Sequence, residues 1–209
     1  MSAIEFKLVL ITNRHLVAPN PLLLAVQSAL DSGIKAVQLR EKDLSTRALF
    51  ELAEDANALC QAHKAHLFVN DRIDVAAALP GCGVHLTAKS LSAAIARQQL
   101  QEKRKIGVST HSVAEARTAA QDGCDFLLFG PIFETPSKPG YGRPQGVQKL
   151  AQVAEAVEVP VFAVGGITPE RARRCLAHGA SGIAVISAIM ASEDIPKTVA
   201  AFETALAGL

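Results

Sequence analysis

An amide, two cations and an acid stand together in Gln38, Arg40, Lys42 and Glu41, where the apolar stretch "AVQLR" runs out. Alternate residues of an extended chain share one face, so Gln38, Arg40 and Lys42 project together. Other apolar runs end in the same manner: in Asn70 and Asp71, in His85, Thr87 and Lys89, and in Ser109 and His111. A long loop adds Thr135, Ser137 and Lys138, and the last two runs close on Gly165, Gly166 and Ser187. This set is rich in donors and cations and poor in acids, which suits an anionic ligand. Small residues at Gly166 and Ser187 leave backbone N–H groups bare, and amides of that kind beside a helix start bind phosphate. Each residue also has a plainer reading. A glycine pair makes a tight turn, Asp71 caps the helix that follows, and Thr135 and Ser137 serve turns. Arg40 and Lys42 are then solvated charges, and His85 and His111 ordinary hydrogen-bonded histidines.

Something must bring these ends to one place. Short apolar runs alternate with Ala-rich segments of helical period: "KLVLI", "AVQLR", "HLFVN", "GVHLT", "KIGVS", "FLLFG", "VFAVG" and "GIAVIS" are the strand candidates. Between them lie helices such as "STRALFELAEDANALCQAH", capped by Ser45, and "TPERARRCLAHG", with Thr168 as cap, Pro169 in the first turn and Gly179 as the stop. Strand then helix, repeated in this way, is the order of a (β/α)8 TIM barrel, an α/β fold that collects ligands at the carboxyl ends of its strands. An open, doubly wound sheet obeys the same alternation and is the second choice. The Pro- and Gly-rich stretch from 131 to 146 is the one long irregular connection, and a connection of that length is commonly functional.

The composition agrees with one domain over residues 1–209. Hydrophobic residues make up 49% of the chain and charged residues 20%, with a net charge of +1. That balance offers no basic surface for nucleic acid and no disordered acidic tail. Aromatic residues are only 4% and tryptophan is absent, which argues against a base-stacking surface. The start "MSAIEFKLVLITNRH" lacks the pattern of a signal peptide and no run has membrane-spanning length, so a cytoplasmic protein is expected. Cys60, Cys82, Cys124 and Cys175 stand far apart without a CxxC pair and read as buried thiols.

The segments "VQLREK", "VNDRIDVA", "GVHLTAKSL", "GVSTHS", "FGPIFETPSKPG", "VGGI" and "AVISAI", in this order over nearly the whole chain, resemble the thiamine phosphate synthase and thiazole tautomerase superfamily. The resemblance implies a transferase of thiamine biosynthesis that joins hydroxymethylpyrimidine diphosphate to a thiazole phosphate with Mg2+. By it, Gln38 and Ser109 contact the pyrimidine, while Arg40, Lys42, Asn70 and Lys138 hold the diphosphate. Thr135, Ser137, Gly166, Ile186 and Ser187 hold the thiazole phosphate, and Asp71 binds the metal. The partners expected are phosphorylated small molecules, with neither nucleic acid nor membrane, and a homo-oligomer is allowed.

Two positions depart from the superfamily's patterns. The synthase segment after the fourth strand carries a second metal-binding Asp, where this chain has Ser90 in "TAKS". The tautomerase places a catalytic His where this chain has Pro131. Synthase chemistry therefore ranks first. A thiazole tautomerase using His85 or His111 as its base, and a non-catalytic barrel that binds thiamine phosphates, are the alternatives.

Overall fold

A computed structural model describes residues 4–100, 104–135 and 144–207. Eight parallel strands close into a barrel in sequence order: β1 (Leu8–Ile11), β2 (Ala36–Leu39), β3 (His66–Asn70), β4 (Gly83–Leu86), β5 (Ile106–Thr110), β6 (Phe126–Phe129), β7 (Val161–Val164) and β8 (Gly182–Val185). Pairing of Leu8 with Ile183 joins β1 to β8 and completes the ring. The open-sheet alternative is thereby excluded. Helices α1 (Leu22–Asp31), α2 (Thr46–Ala62), α3 (Ile73–Ala78), α4 (Ala93–Gln99), α5 (Val113–Gln121), α6 (Gly146–Ala156) and α7 (Pro169–Leu176) connect successive strands. A short α8 (Ser187–Met190) and α9 (Ile195–Ala207) follow the last one.

The strands are apolar on both faces because both are covered. Residues that point out, among them Leu10, Val37, Val69, Leu127 and Ile183, pack beneath the helices. Residues that point in form a separate cluster of Phe6, Val9, Ile11, Ala36, Phe68, Phe126, Leu128, Phe162 and Ala184. The inward phenylalanines meet edge-on, with Phe68 and Phe126 centroids 5.1 Å apart and Phe126 and Phe162 5.5 Å apart. Glycines supply the complementary gaps: a Cβ on Gly83 would sit 2.8 Å from the Phe68 ring, and one on Gly182 2.5 Å from Phe162. The lower barrel is thus a packed core, and only its upper end is open to a ligand.

The caps fall where the sequence puts them. Ser45 accepts a hydrogen bond from the Ala48 amide at the start of α2, and Thr168 accepts one from Arg171 ahead of Pro169 in α7. The four cysteines are buried and free. No helix among the described residues is long and apolar enough to cross a membrane. One boundary moves. "GIAVIS" reads as a strand to Ser187, yet β8 ends at Val185, Ile186 turns the chain at φ −115° and ψ −88°, and Ser187 opens α8.

Candidate functional site

The carboxyl ends of the strands surround a cavity of about 330 Å³. From β2 and the residues just past it come Gln38, Arg40 and Lys42, with period-two spacing kept beyond the end of the strand proper. Asn70 ends β3, Ser109 lies near the end of β5, and Thr135 belongs to the connection after β6. Gly166, Ile186 and Ser187 complete the opposite wall. Lys89, His111 and Pro131 also line the cavity. Ser137 and Lys138 lie outside the described residues.

The acid within the cationic segment is turned away from the cavity. Glu41 is 4% exposed and accepts hydrogen bonds from Thr12 Oγ1 at 2.6 Å, from the Arg14 backbone N–H at 3.2 Å and from the Arg14 guanidinium at 3.2 Å. Arg14 extends to Asp43 through paired 2.6 Å contacts, and this fork holds the Asp43 carboxyl well below the usual range. The Arg40 amide in turn donates to Thr12 Oγ1 at 3.0 Å. The loop carrying Arg40 and Lys42 is therefore pinned to the end of β1. Neither cation, nor Lys89, forms an ion pair with a carboxylate among the described residues. No local spacing in the sequence reveals Thr12 or Arg14, which stand 29 and 27 residues from Glu41.

The floor of the cavity is polar and buried. Gln38 is 3% exposed, and its Nε2 donates to Asn70 Oδ1 at 3.0 Å. Its Oε1 has no partner, so a buried acceptor awaits a donor. Below it, His85 is 1% exposed, and its Nε2 lies 2.8 Å from Ser109 Oγ. Burial, reinforced by the charge of Arg40, pushes the His85 imidazolium down to about 3, so the ring is neutral near pH 7. A ring so unwilling to take a proton is a poor base, which counts against His85 in tautomerase chemistry. His111 lines the cavity, but its backbone N–H donates to Glu115 and its ring faces the same carboxylate at 3.5 Å.

Asp71 stands just outside the lining and is linked through Ser90 to Thr87, which is in it. It adopts φ +65°, a left-handed conformation that Asp tolerates better than most residues. It does not cap α3, whose cap residue is Arg72 and makes no side-chain capping bond. The Ser90 hydroxyl donates to Asp71 Oδ1, and Ser90 Oγ accepts the Thr87 amide at 2.7 Å. No group of three or more His, Cys, Asp or Glu able to hold a metal occurs among the described residues. One carboxylate with neighbouring hydroxyls fits Mg2+, which keeps several waters and takes further oxygens from substrate phosphates.

At the far wall, Gly165 and Gly166 have φ of +98° and +63°. Both pack against the connection after β6: a Cβ on Gly166 would collide with the Glu134 carbonyl and lie 2.9 Å from Phe133 Cβ. The first amides of a helix find no partner inside it, and Ile186, Ser187 and Ala188, at the start of α8, line this part of the cavity.

Comparison with known proteins agrees with this geometry. The profile of the thiamine monophosphate synthase family matches residues 8–189. A thiamine-phosphate synthase from Roseiflexus castenholzii is 41% identical, over 88% of this chain and 81% of that protein. One from Clostridium novyi is 37% identical, over 92% and 94%. The solved structure of a thiamine phosphate pyrophosphorylase from Pyrococcus furiosus superposes with a TM-score of 0.87 at 35% identity, covering 96% of this chain and 95% of that one. On its sequence, its closed barrel and the arrangement of its strand ends, this chain belongs to the thiamine monophosphate synthase family.

Proposed function

We propose that the chain joins hydroxymethylpyrimidine diphosphate to a thiazole phosphate and releases pyrophosphate. The observation that carries this reading is the pair Arg40 and Lys42, which face the cavity without a carboxylate partner while the adjacent Glu41 is buried elsewhere. Their uncompensated charge is suited to a diphosphate and grows more valuable as the leaving group takes up negative charge. The unpartnered Gln38 Oε1 matches the amino group of an aminopyrimidine. That electron-rich ring stabilises the cation left when pyrophosphate departs, and the thiazole nitrogen captures it. The reaction needs no strong base, in keeping with Pro131 in the cavity lining and a neutral His85 beneath it.

Asn70, bonded to Gln38, borders the diphosphate, and Ser109 meets the pyrimidine. Gly166, Ile186 and Ser187 cradle the thiazole phosphate with Thr135. Lys138 and Ser137 complete the two anion sites in this reading. Asp71 would hold Mg2+, which supplies charge neutralisation to the diphosphate, with Ser90 fixing one carboxylate oxygen. Holding both substrates by their phosphates aligns the reacting carbon and nitrogen before the leaving group departs. Substrates of this kind place the protein in the cytoplasm, alone or as a homo-oligomer.

Incubation of purified protein with both substrates and Mg2+, followed by chromatography, tests this function. Thiamine phosphate and pyrophosphate formed in equal amounts are expected. Absence of both at every Mg2+ concentration overturns it.

A further inference from the structure

His85 touches no part of the cavity, yet it is the most enclosed ionisable group beneath it. Its setting is built in detail. Strand register sets Asn70 beside His85 on one side and Gly107 on the other. A Cβ on Gly107 would lie 2.5 Å from His85 Nδ1, so only a glycine there leaves room for the ring. The Phe126 ring closes the underside, with centroids 5.9 Å apart, and the His85 carbonyl is tied to the Asp71 amide at 2.8 Å. What remains free to point upward is Nε2, and it meets Ser109 Oγ.

We propose that His85 is a positioning residue for Ser109, fixing the rotamer and the proton of that hydroxyl so that it meets the pyrimidine in a single hydrogen-bonding sense. A serine hydroxyl left alone rotates and offers a ligand either its proton or its lone pairs. A ring that accepts the Ser109 proton at Nε2 leaves only oxygen lone pairs for the ligand, and this is the arrangement we assign; a ring donating from Nε2 would leave both the proton and one lone pair. Gly107 and Phe126 wall the ring in, so it presents Nε2 to Ser109 in one orientation. The role concerns the pyrimidine substrate and not the thiazole phosphate, whose contacts Gly166, Ile186 and Ser187 come from the ends of β7 and β8. It rests on the synthase reading of the cavity.

The test couples His85 to Ser109. His85→Leu, similar in bulk but without a polar atom, is expected to lower kcat/KM for hydroxymethylpyrimidine diphosphate at least about tenfold, while KM for the thiazole phosphate stays within about twofold. His85→Gln, which keeps a polar atom within reach of Ser109, recovers most of the loss. In a Ser109→Ala background, His85→Leu changes the same parameter less than about twofold, because the hydroxyl it governs is gone. A loss equally large without the hydroxyl, or one shared by both substrates, overturns the proposal. Circular dichroism checks that each variant folds, and His85→Asn, too short to reach Ser109, replaces His85→Leu if that variant does not. Calorimetric titration with hydroxymethylpyrimidine diphosphate reads the same coupling without turnover. An inactive parent chain would thus overturn the synthase reading, whereas the titration still decides for or against His85.

Discussion

A guanidinium or ammonium that enters a cavity without a carboxylate beside it presents its full charge to whatever binds there. Arg40 and Lys42 are placed in that way, and the structure shows how Glu41 is kept from neutralising them. Because the charge they meet is largest as pyrophosphate departs, Arg40→Ala or Lys42→Ala should lower kcat by about a hundredfold or more, with a much smaller change in KM for the thiazole phosphate. Steady-state kinetics with each substrate varied in turn checks this. Ser90 allows a second test. In Ser90→Asp a carboxylate replaces the hydroxyl that now donates to Asp71, so two negative charges come together. The variant should melt at a lower temperature than the parent in EDTA and regain the difference when Mg2+ is added. It should also reach half-maximal activity at a lower Mg2+ concentration. Removing the neighbouring charge with Lys89→Ala in the same chain should help this variant. The presence of Arg40 and Lys42 on one side was legible from period two alone. The diversion of Glu41 was not, since its partners Thr12 and Arg14 lie just past β1 and nothing near it in the chain marks them.

Among the elements, the turn between β7 and α7 shows how packing and binding share the same residues. The glycine pair reads in the sequence as a phosphate loop or a tight turn, and it is in fact pressed against the connection after β6, where Phe133 donates its amide to the Gly165 carbonyl at 3.1 Å. Arg171 reinforces this from α7 by donating to the Gly166 carbonyl at 2.7 Å while its guanidinium lies over Phe133 at 4.8 Å. A β-branched residue at Gly166, where φ is +63°, is strained whatever the ligand. Gly166→Val should therefore lower the melting temperature and weaken thiazole phosphate binding together, as thermal denaturation and calorimetry will show. A weakened affinity with no thermal effect would mean that the wall is softer than its packing suggests. The displaced boundary at Ser187 has a related origin. "GIAVIS" is apolar throughout, and a strand and a buried helical turn draw on the same residues, so the break at Ile186 leaves no periodic trace.

For the molecule as a whole, the alternation of strand and helix announced the barrel, and apolar runs without polar breaks announced strands covered on both faces. The inner layer was harder to foresee, because inward and outward residues are both apolar and only the register separates Phe126 from Leu127. Phe126 is fully buried among Phe6, Phe68 and Phe162. Phe126→Ala should destabilise the fold by about 3–5 kcal/mol, measured by urea denaturation, and should loosen the floor on which His85 rests. Closure of the ring has a consequence for how the protein is made. The pairing of Leu8 with Ile183 joins segments synthesised at opposite ends of the chain. Until β8 leaves the ribosome, β1 and β7 each present an open edge, a template on which nascent chains can pair with one another. Fragments that stop before Gly182 should accordingly aggregate or recruit chaperones, whereas a circular permutant that fuses the termini and opens a helical connection retains every strand pair and should fold.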